Sequence, residues 1–236
     1  MRESLGEAII LAGGFGTRLR RVVSDVPKPM APVDDRGTPF LAFVLDKLVE
    51  QGVTQVILSV GYLADVIWKY FGDTYKEMPI TYVLEDEPLG TGGAVKKSLQ
   101  VCRSDTVFVL NGDTYFDVNL IAMKKEHQRN KADFTLAARE MRNFDRYGAL
   151  EIDEHGRVHR FGEKKYCADG FINGGVYCLH RSLLDNVQQE AFSLEKDFLE
   201  KQVARIHVQA YKSVGYFIDI GIPEDYQKAR KHWSEL

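Results

Sequence analysis

Cysteine is scarce in this chain. Cys102, Cys167 and Cys178 are its only three, scattered through 236 residues with no CxxC pair. An odd count in a chain this long does not suggest a disulfide framework. An excess of basic charge is also missing: 31 Lys and Arg stand against 34 Asp and Glu, a formal charge of -3. A long polyanion is therefore not expected as a partner, and no nucleic-acid binding is expected. A small anion needs only a few local cations, which this composition allows. Long apolar runs are absent near the start. The segment Met1-Arg2-Glu3-Ser4-Leu5-Gly6-Glu7 is polar, and the apolar run after it is brief. It is too short for a signal-peptide core or a membrane span, so no membrane partner and a cytoplasmic, reducing setting are expected. The six histidines form no recognised ligand motif, and no Ser-His-Asp or Cys-His arrangement is evident. Internal repeats, low-complexity tracts and Pro/Ser linkers are lacking too.

What is present is enough apolar material, 44% of residues, for a sizeable core. Through the first half, strand-like runs alternate with helical patterns. Residues 7–12, 55–60, 80–84 and 106–110 read as strands; 40–51, 63–71, 93–101 and 119–129 read as helices. This alternation predicts an α/β fold with a mostly parallel sheet covered on both faces. The second half is less regular. Strands are expected at 134–139, 149–152, 157–161 and 173–179, with a hairpin-like turn at Glu154-His155-Gly156, and helices at 194–202 and 224–232. Trp68 and Trp233, at helical positions, read as packing residues. One domain over residues 1–236 is expected, with a nucleotide-type front half and a substrate-type back half.

The stretch Leu11-Ala12-Gly13-Gly14-Phe15-Gly16-Thr17-Arg18-Leu19 leaves the end of the first strand. In open α/β sheets that edge is where ligands bind. Its glycines let the backbone approach a phosphate closely and aim N–H groups at it. The dinucleotide fingerprint would require a small residue where Leu19 stands, and no Gly-Lys-Ser/Thr of a P-loop occurs. Arg18 instead sets a fork of donors beside the turn. Lys28 then sits between Pro27 and Pro29, on a segment expected to be stiff and extended.

The run from Gly13 to Leu19 followed by Pro27-Lys28-Pro29 resembles the signature of the sugar-1-phosphate nucleotidyltransferases. The likeness continues through residues 85–94, Asn111-Gly112-Asp113, Glu163-Lys164 and residues 217–226, in the family's order. Within that family the chain looks most like the short guanylyltransferases acting on D-glycero-α-D-manno-heptose 1-phosphate, a likeness that includes Ser193-Leu194-Glu195-Lys196-Asp197. The resemblance implies a Rossmann-like mixed sheet flanked by helices, glycosyltransferase-A-like. The C-terminal β-helix of some members is not expected here.

In such a reaction an oxygen of the sugar phosphate attacks the α-phosphorus of a nucleoside triphosphate. Catalysis there is mainly positioning and charge neutralisation, and no protein nucleophile is needed. The resemblance implies Mg²⁺ held by Asp113 and Asp219, with Arg18, Lys28 and Asp113 as catalytic groups. An aspartate in the apolar run around Asp219 would be costly unless paired or metal-bound. By the same likeness the nucleotide meets Leu11, Ala12, Gly13, Gly14, Gly16, Thr17, Glu85, Gly90, Thr91 and Gly112. Tyr147, Gly148, Glu163, Lys164, Asn173 and Gly174 are implied for the sugar phosphate.

Glu85 bears on the base. An ionised carboxylate only accepts hydrogen bonds, and guanine offers adjacent N1–H and N2–H₂ donors. GTP is therefore the expected nucleotide; the resemblance implies a sugar 1-phosphate as the other partner, heptose first and mannose next, with homo-oligomerisation left open. A reading from another class, a non-catalytic sugar-nucleotide sensor, would be marked by loss of Arg18, Lys28, Asp113 or Asp219, and all four are present.

Overall fold

The computed structural model describes residues 5–14, 19, 23 and 25–235. Strands β1 (Glu7–Leu11), β2 (Gln55–Val60), β4 (Met78–Leu84) and β5 (Thr106–Asn111) form the parallel centre of a large sheet. β1 lies between β2 and β5, pairing Ile9 with both Ile57 and Val109. Side chains alternate across it: Ala8 and Ile10 enter the core on one face, and Ile9 enters the core on the other. Burial on both faces is why β1, β2 and β5 read as largely apolar runs.

The remaining order is β11-β7-β10-β5-β1-β2-β4-β3. β10 (Cys167–His180) runs antiparallel to β5 and to β7 (Phe134–Phe144), and β11 (Val208–Ser213) is parallel to β7. The front and back halves expected from the sequence thus share one sheet. β3 (Thr74–Tyr75) edges β4 at the other side.

Helices α1 (Phe40–Gln51), α2 (Ala64–Phe71), α3 (Gly90–Leu99) and α4 (Leu120–Arg129) connect the strands. α1 buries Phe40, Leu41, Val44, Leu45 and Leu48, and ends at Gly52 in the left-handed region, φ 84°, where glycine avoids a Cβ penalty. α4 is capped by the Asn119 side chain, which accepts from Ala122 N–H at 2.9 Å. A π-type turn at Leu194–Leu199 leads into the short α5 (Glu200–Gln202), and α6 (Pro223–Ser234) closes the described chain. Among the described residues no helix is long and apolar enough to cross a membrane.

Several expectations change. β7 and β10 run well past 139 and back before 173. Their projecting ends carry a flap made of β8 (Gly148–Ile152) and β9 (Val158–Lys164). α3 starts at Gly90, not Gly93. Pro27-Lys28-Pro29 is not wholly extended: Lys28–Met30 form one 3-10 turn, closed by Met30 N–H on Pro27 O and Ala31 N–H on Lys28 O. Trp233 packs in the core, but Trp68 is 53% exposed because it faces away from the sheet on α2.

Candidate active site

The parallel strands end at one edge. There Leu11 pairs with Ser59 and with Asn111, and Val60 with Leu84. The segments leaving that edge border a cavity of about 390 Å³. Its wall includes Leu11, Ala12, Gly13 and Gly14 from the glycine turn, Lys28, Glu85, Gly90 and Thr91, and Asp113. Residues more than 100 positions apart thus converge as expected. Gly16, Thr17 and Arg18 lie outside the described residues.

Glu85 is held just past β4. Its N–H donates to Val60 O at 2.7 Å and its Oε1 accepts from Ser59 Oγ at 2.9 Å. The backbone of Gly13 passes directly against this carboxylate, so that a Cβ there would overlap Oε1. Gly112 makes a similar close approach: its N–H donates to Leu11 O at 2.9 Å, and a Cβ would lie 2.5 Å from that oxygen. The glycine run at the start of α3 serves a different purpose. Gly90 has φ 69°, Gly92 N–H donates to Phe192 O at 2.9 Å, and Gly92 and Gly93 leave room for Phe192 and Glu190.

Lys28 is buried, and its ammonium pairs with Asp113 Oδ2. Asp113 is followed by β6 (Thr114–Phe116), which pairs antiparallel with β12 (Phe217–Asp219). Thr114 lies opposite Asp219, and Ile220 N–H donates to Asp113 O at 3.0 Å. This two-stranded ladder brings the two aspartates together. Burial raises the Asp219 carboxyl above its usual value, the Asp113 charge pushes it the same way, and Lys28 offsets only part of this. Asp219 Oδ1 accepts from Gly221 N–H at 2.7 Å and Oδ2 from Tyr147 OH at 3.3 Å. Two neighbouring carboxylates with hard oxygen donors, one of them on the cavity wall, suit Mg²⁺.

None of the residues expected on the sugar side lines this cavity among the described residues. Tyr147 reaches Asp219. Gly148 pairs with Lys164 across β8 and β9, where a Cβ on Gly148 would overlap Gly162 O. Glu163 and Lys164 are exposed on the flap. Asn173 turns its side chain inward: Nδ2 donates to Tyr177 OH at 2.9 Å and Oδ1 accepts from Gly175 N–H at 3.0 Å. Gly174 packs against the Phe116 ring.

The sequence reading assigns Glu195 no role of its own. Its carboxylate accepts from Tyr177 OH, Thr91 Oγ1 and Ser193 Oγ, at 2.9, 2.9 and 3.2 Å. The Thr91 hydroxyl also accepts from Leu194 N–H at 2.9 Å. Thr91 thus ties the start of α3 to the segment at 193–195. Asn111, Pro88 and Gly221 also line the cavity, and Asn111 Oδ1 is buried without a hydrogen-bond partner among the described residues. Its place beside Gly112-Asp113 was the available signal.

Residues 7–235 match the nucleotidyl transferase family. The chain belongs to that family. It is 49% identical over 226 residues to the D-glycero-alpha-D-manno-heptose 1-phosphate guanylyltransferase of Aneurinibacillus thermoaerophilus, covering 95% of this chain and 97% of that one. The protein of the same name from Campylobacter jejuni is 45% identical, with 93% and 96% covered. Among solved structures, HddC from Yersinia pseudotuberculosis superposes with a TM-score of 0.87 at 37% identity, covering 96% of this chain and 99% of that one. The same protein complexed with GMP-PN gives 0.85 at 36% identity. The nucleotidyl transferase assignment and the mixed, mostly parallel sheet expected from the sequence therefore agree.

Proposed function

We propose that this nucleotidyltransferase transfers GMP from GTP to D-glycero-α-D-manno-heptose 1-phosphate, giving GDP-heptose and pyrophosphate. A sugar-phosphate oxygen forms a bond to the α-phosphorus of GTP. The bond from that phosphorus to the oxygen bridging to the β-phosphate breaks, and pyrophosphate leaves with the electron pair. Support comes from the full-length likeness to guanylyltransferases of that name. The observation that carries the reading is Glu85, an acceptor fixed by Ser59 on the wall that also bears Lys28 and Asp113. An acceptor-only group fits the two donors of guanine better than the single donor of uracil or thymine.

The roles follow from chemistry already described. The turn from Leu11 to Gly14 offers main-chain groups to the nucleotide, and Arg18 is assigned to the triphosphate. Lys28 spends one N–H on Asp113 and keeps two for phosphate oxygens. Asp113 and Asp219 would hold Mg²⁺, which offsets phosphate charge when bound. Tyr147, Gly148, Glu163 and Lys164 are assigned to the sugar phosphate, and the buried Asn111 Oδ1 is suited to accept from a substrate hydroxyl. A cytoplasmic setting, where GTP is supplied, suits the reaction.

The test is pyrophosphate release from each of four nucleoside triphosphates against heptose, mannose and glucose 1-phosphates. GTP with the heptose substrate should give the highest kcat/KM. A maximum with mannose 1-phosphate would move the acceptor, and a maximum with UTP or dTTP would remove the guanylyl assignment.

A further inference from the structure

Asp225, in the first turn of α6, pairs through Oδ2 with Arg146 Nη1 and through Oδ1 with Lys228 Nζ at 2.8 Å. Its side chain is only 14% exposed. Burial alone would raise this carboxyl, but the two cationic donors outweigh it and hold it below the usual carboxylate value. Arg146 belongs to the turn between β7 and β8, more than 70 residues away in the chain. Its guanidinium lies 5.5 Å from the centre of the Tyr147 ring. Phe217 meets the same ring edge-on, with centroids 6.2 Å apart. The ring is thus set by a cation and by an aromatic from β12, and its hydroxyl is aimed at Asp219 Oδ2.

We propose that Arg146 and Asp225 form a clasp that fixes Tyr147 and, through it, the orientation of the Asp219 carboxylate. Both are positioning residues: neither lines the cavity among the described residues. The clasp joins the root of the flap to the start of α6, so the side assigned to sugar phosphate is tied mechanically to a carboxylate assigned to the metal. The idea rests on Asp113 and Asp219 being the metal pair. Hydrogen-bond partners of metal ligands commonly carry much of a site's affinity because they hold the ligand in its binding orientation.

The test measures Mn²⁺ binding to the full chain by electron paramagnetic resonance, without substrates, for Arg146→Met, Asp225→Asn, Tyr147→Phe and Arg146→Lys. Mn²⁺ should bind roughly tenfold more weakly to the first three, while the affinity for a fluorescent GTP analogue in metal-free buffer stays within about twofold of wild type. The double variant Arg146→Met/Asp225→Asn should be no weaker than either single one, since both remove the same contact. Arg146→Lys should recover part of the loss. Tyr147→Phe removes only a hydroxyl and keeps the test open if a clasp variant fails to fold. Mn²⁺ affinity within twofold of wild type in folded variants, even with a lowered melting temperature, would overturn the clasp. So would an equal loss of the GTP analogue. If the pyrophosphate assay favours another nucleotide while this pattern holds, the guanylyl reading fails and the clasp stands.

Discussion

Gly13 and Glu85 share one space: the place a side chain would take on Gly13 is occupied by Glu85 Oε1. Gly13 follows β1 and Glu85 follows β4, with β2 lying between those strands, and Ser59 on β2 anchors the carboxylate at 2.9 Å. Gly13→Ala should therefore displace Glu85 rather than unfold the turn. The expected result is a rise in KM for GTP of roughly tenfold, about 1.4 kcal/mol, with KM for the sugar phosphate unchanged in steady-state assays.

Glu85→Gln tests the chemistry at the same place. Glutamine keeps an acceptor for Ser59 but adds a donor that opposes the N–H groups of guanine. The kcat/KM with GTP should fall by about 10- to 100-fold, the loss expected from one mismatched buried hydrogen bond. UTP and dTTP should gain relative to GTP in pyrophosphate-release assays. An unchanged nucleotide ranking would remove Glu85 from base reading.

Asp113→Asn and Asp219→Asn should each lower Mg²⁺-dependent kcat by at least roughly 100-fold. Asparagine at 219 retains an oxygen for the Gly221 N–H, so far-ultraviolet circular dichroism should match wild type. Normal turnover in both variants would refute the metal assignment.

His127 predicts how stability depends on pH. It is buried against Thr135 at 2.8 Å. Burial, reinforced by nearby His180, lowers its pKa from 6.5 to about 4. Between those values the unfolded chain binds more protons than the folded one. This group's stability contribution is therefore full above pH 6.5 and is lost as pH falls toward 4. The loss approaches about 3 kcal/mol. His127→Gln should flatten the fall between pH 6.5 and 4 in urea titrations, whatever its effect at pH 8.

The parallel centre was legible because Ala8-Ile9-Ile10 and its neighbouring strands are buried on both faces and need no partner pattern to be recognised. The flap was not. The polar ends of β7 and β10, such as Arg142 opposite Asp169, are held by cross-strand pairing more than by burial, which leaves little hydrophobic period to read. Lys28 and Asp113 could be named from their motifs, but no local rule shows that they pair with each other. Glu195 sits in a stretch that reads only as a helix and as part of a likeness, and its partners Thr91 and Tyr177 lie 104 and 18 positions away. The sequence reading placed Gly90 and Thr91 with the nucleotide; the tight fit of Gly90 and Gly92 to Phe192, and of Gly93 to Glu190, needs the third dimension.

The small ladder of β6 and β12 has a consequence for how this enzyme class can diversify. Spacing between Asp113 and Asp219 is dictated by main-chain register, and a slip of one residue would turn Asp219 to the opposite side. The flap hangs from different strands, β7 and β10. Its sequence can therefore change while the two acidic groups keep their separation, provided the turn that leads into it stays put.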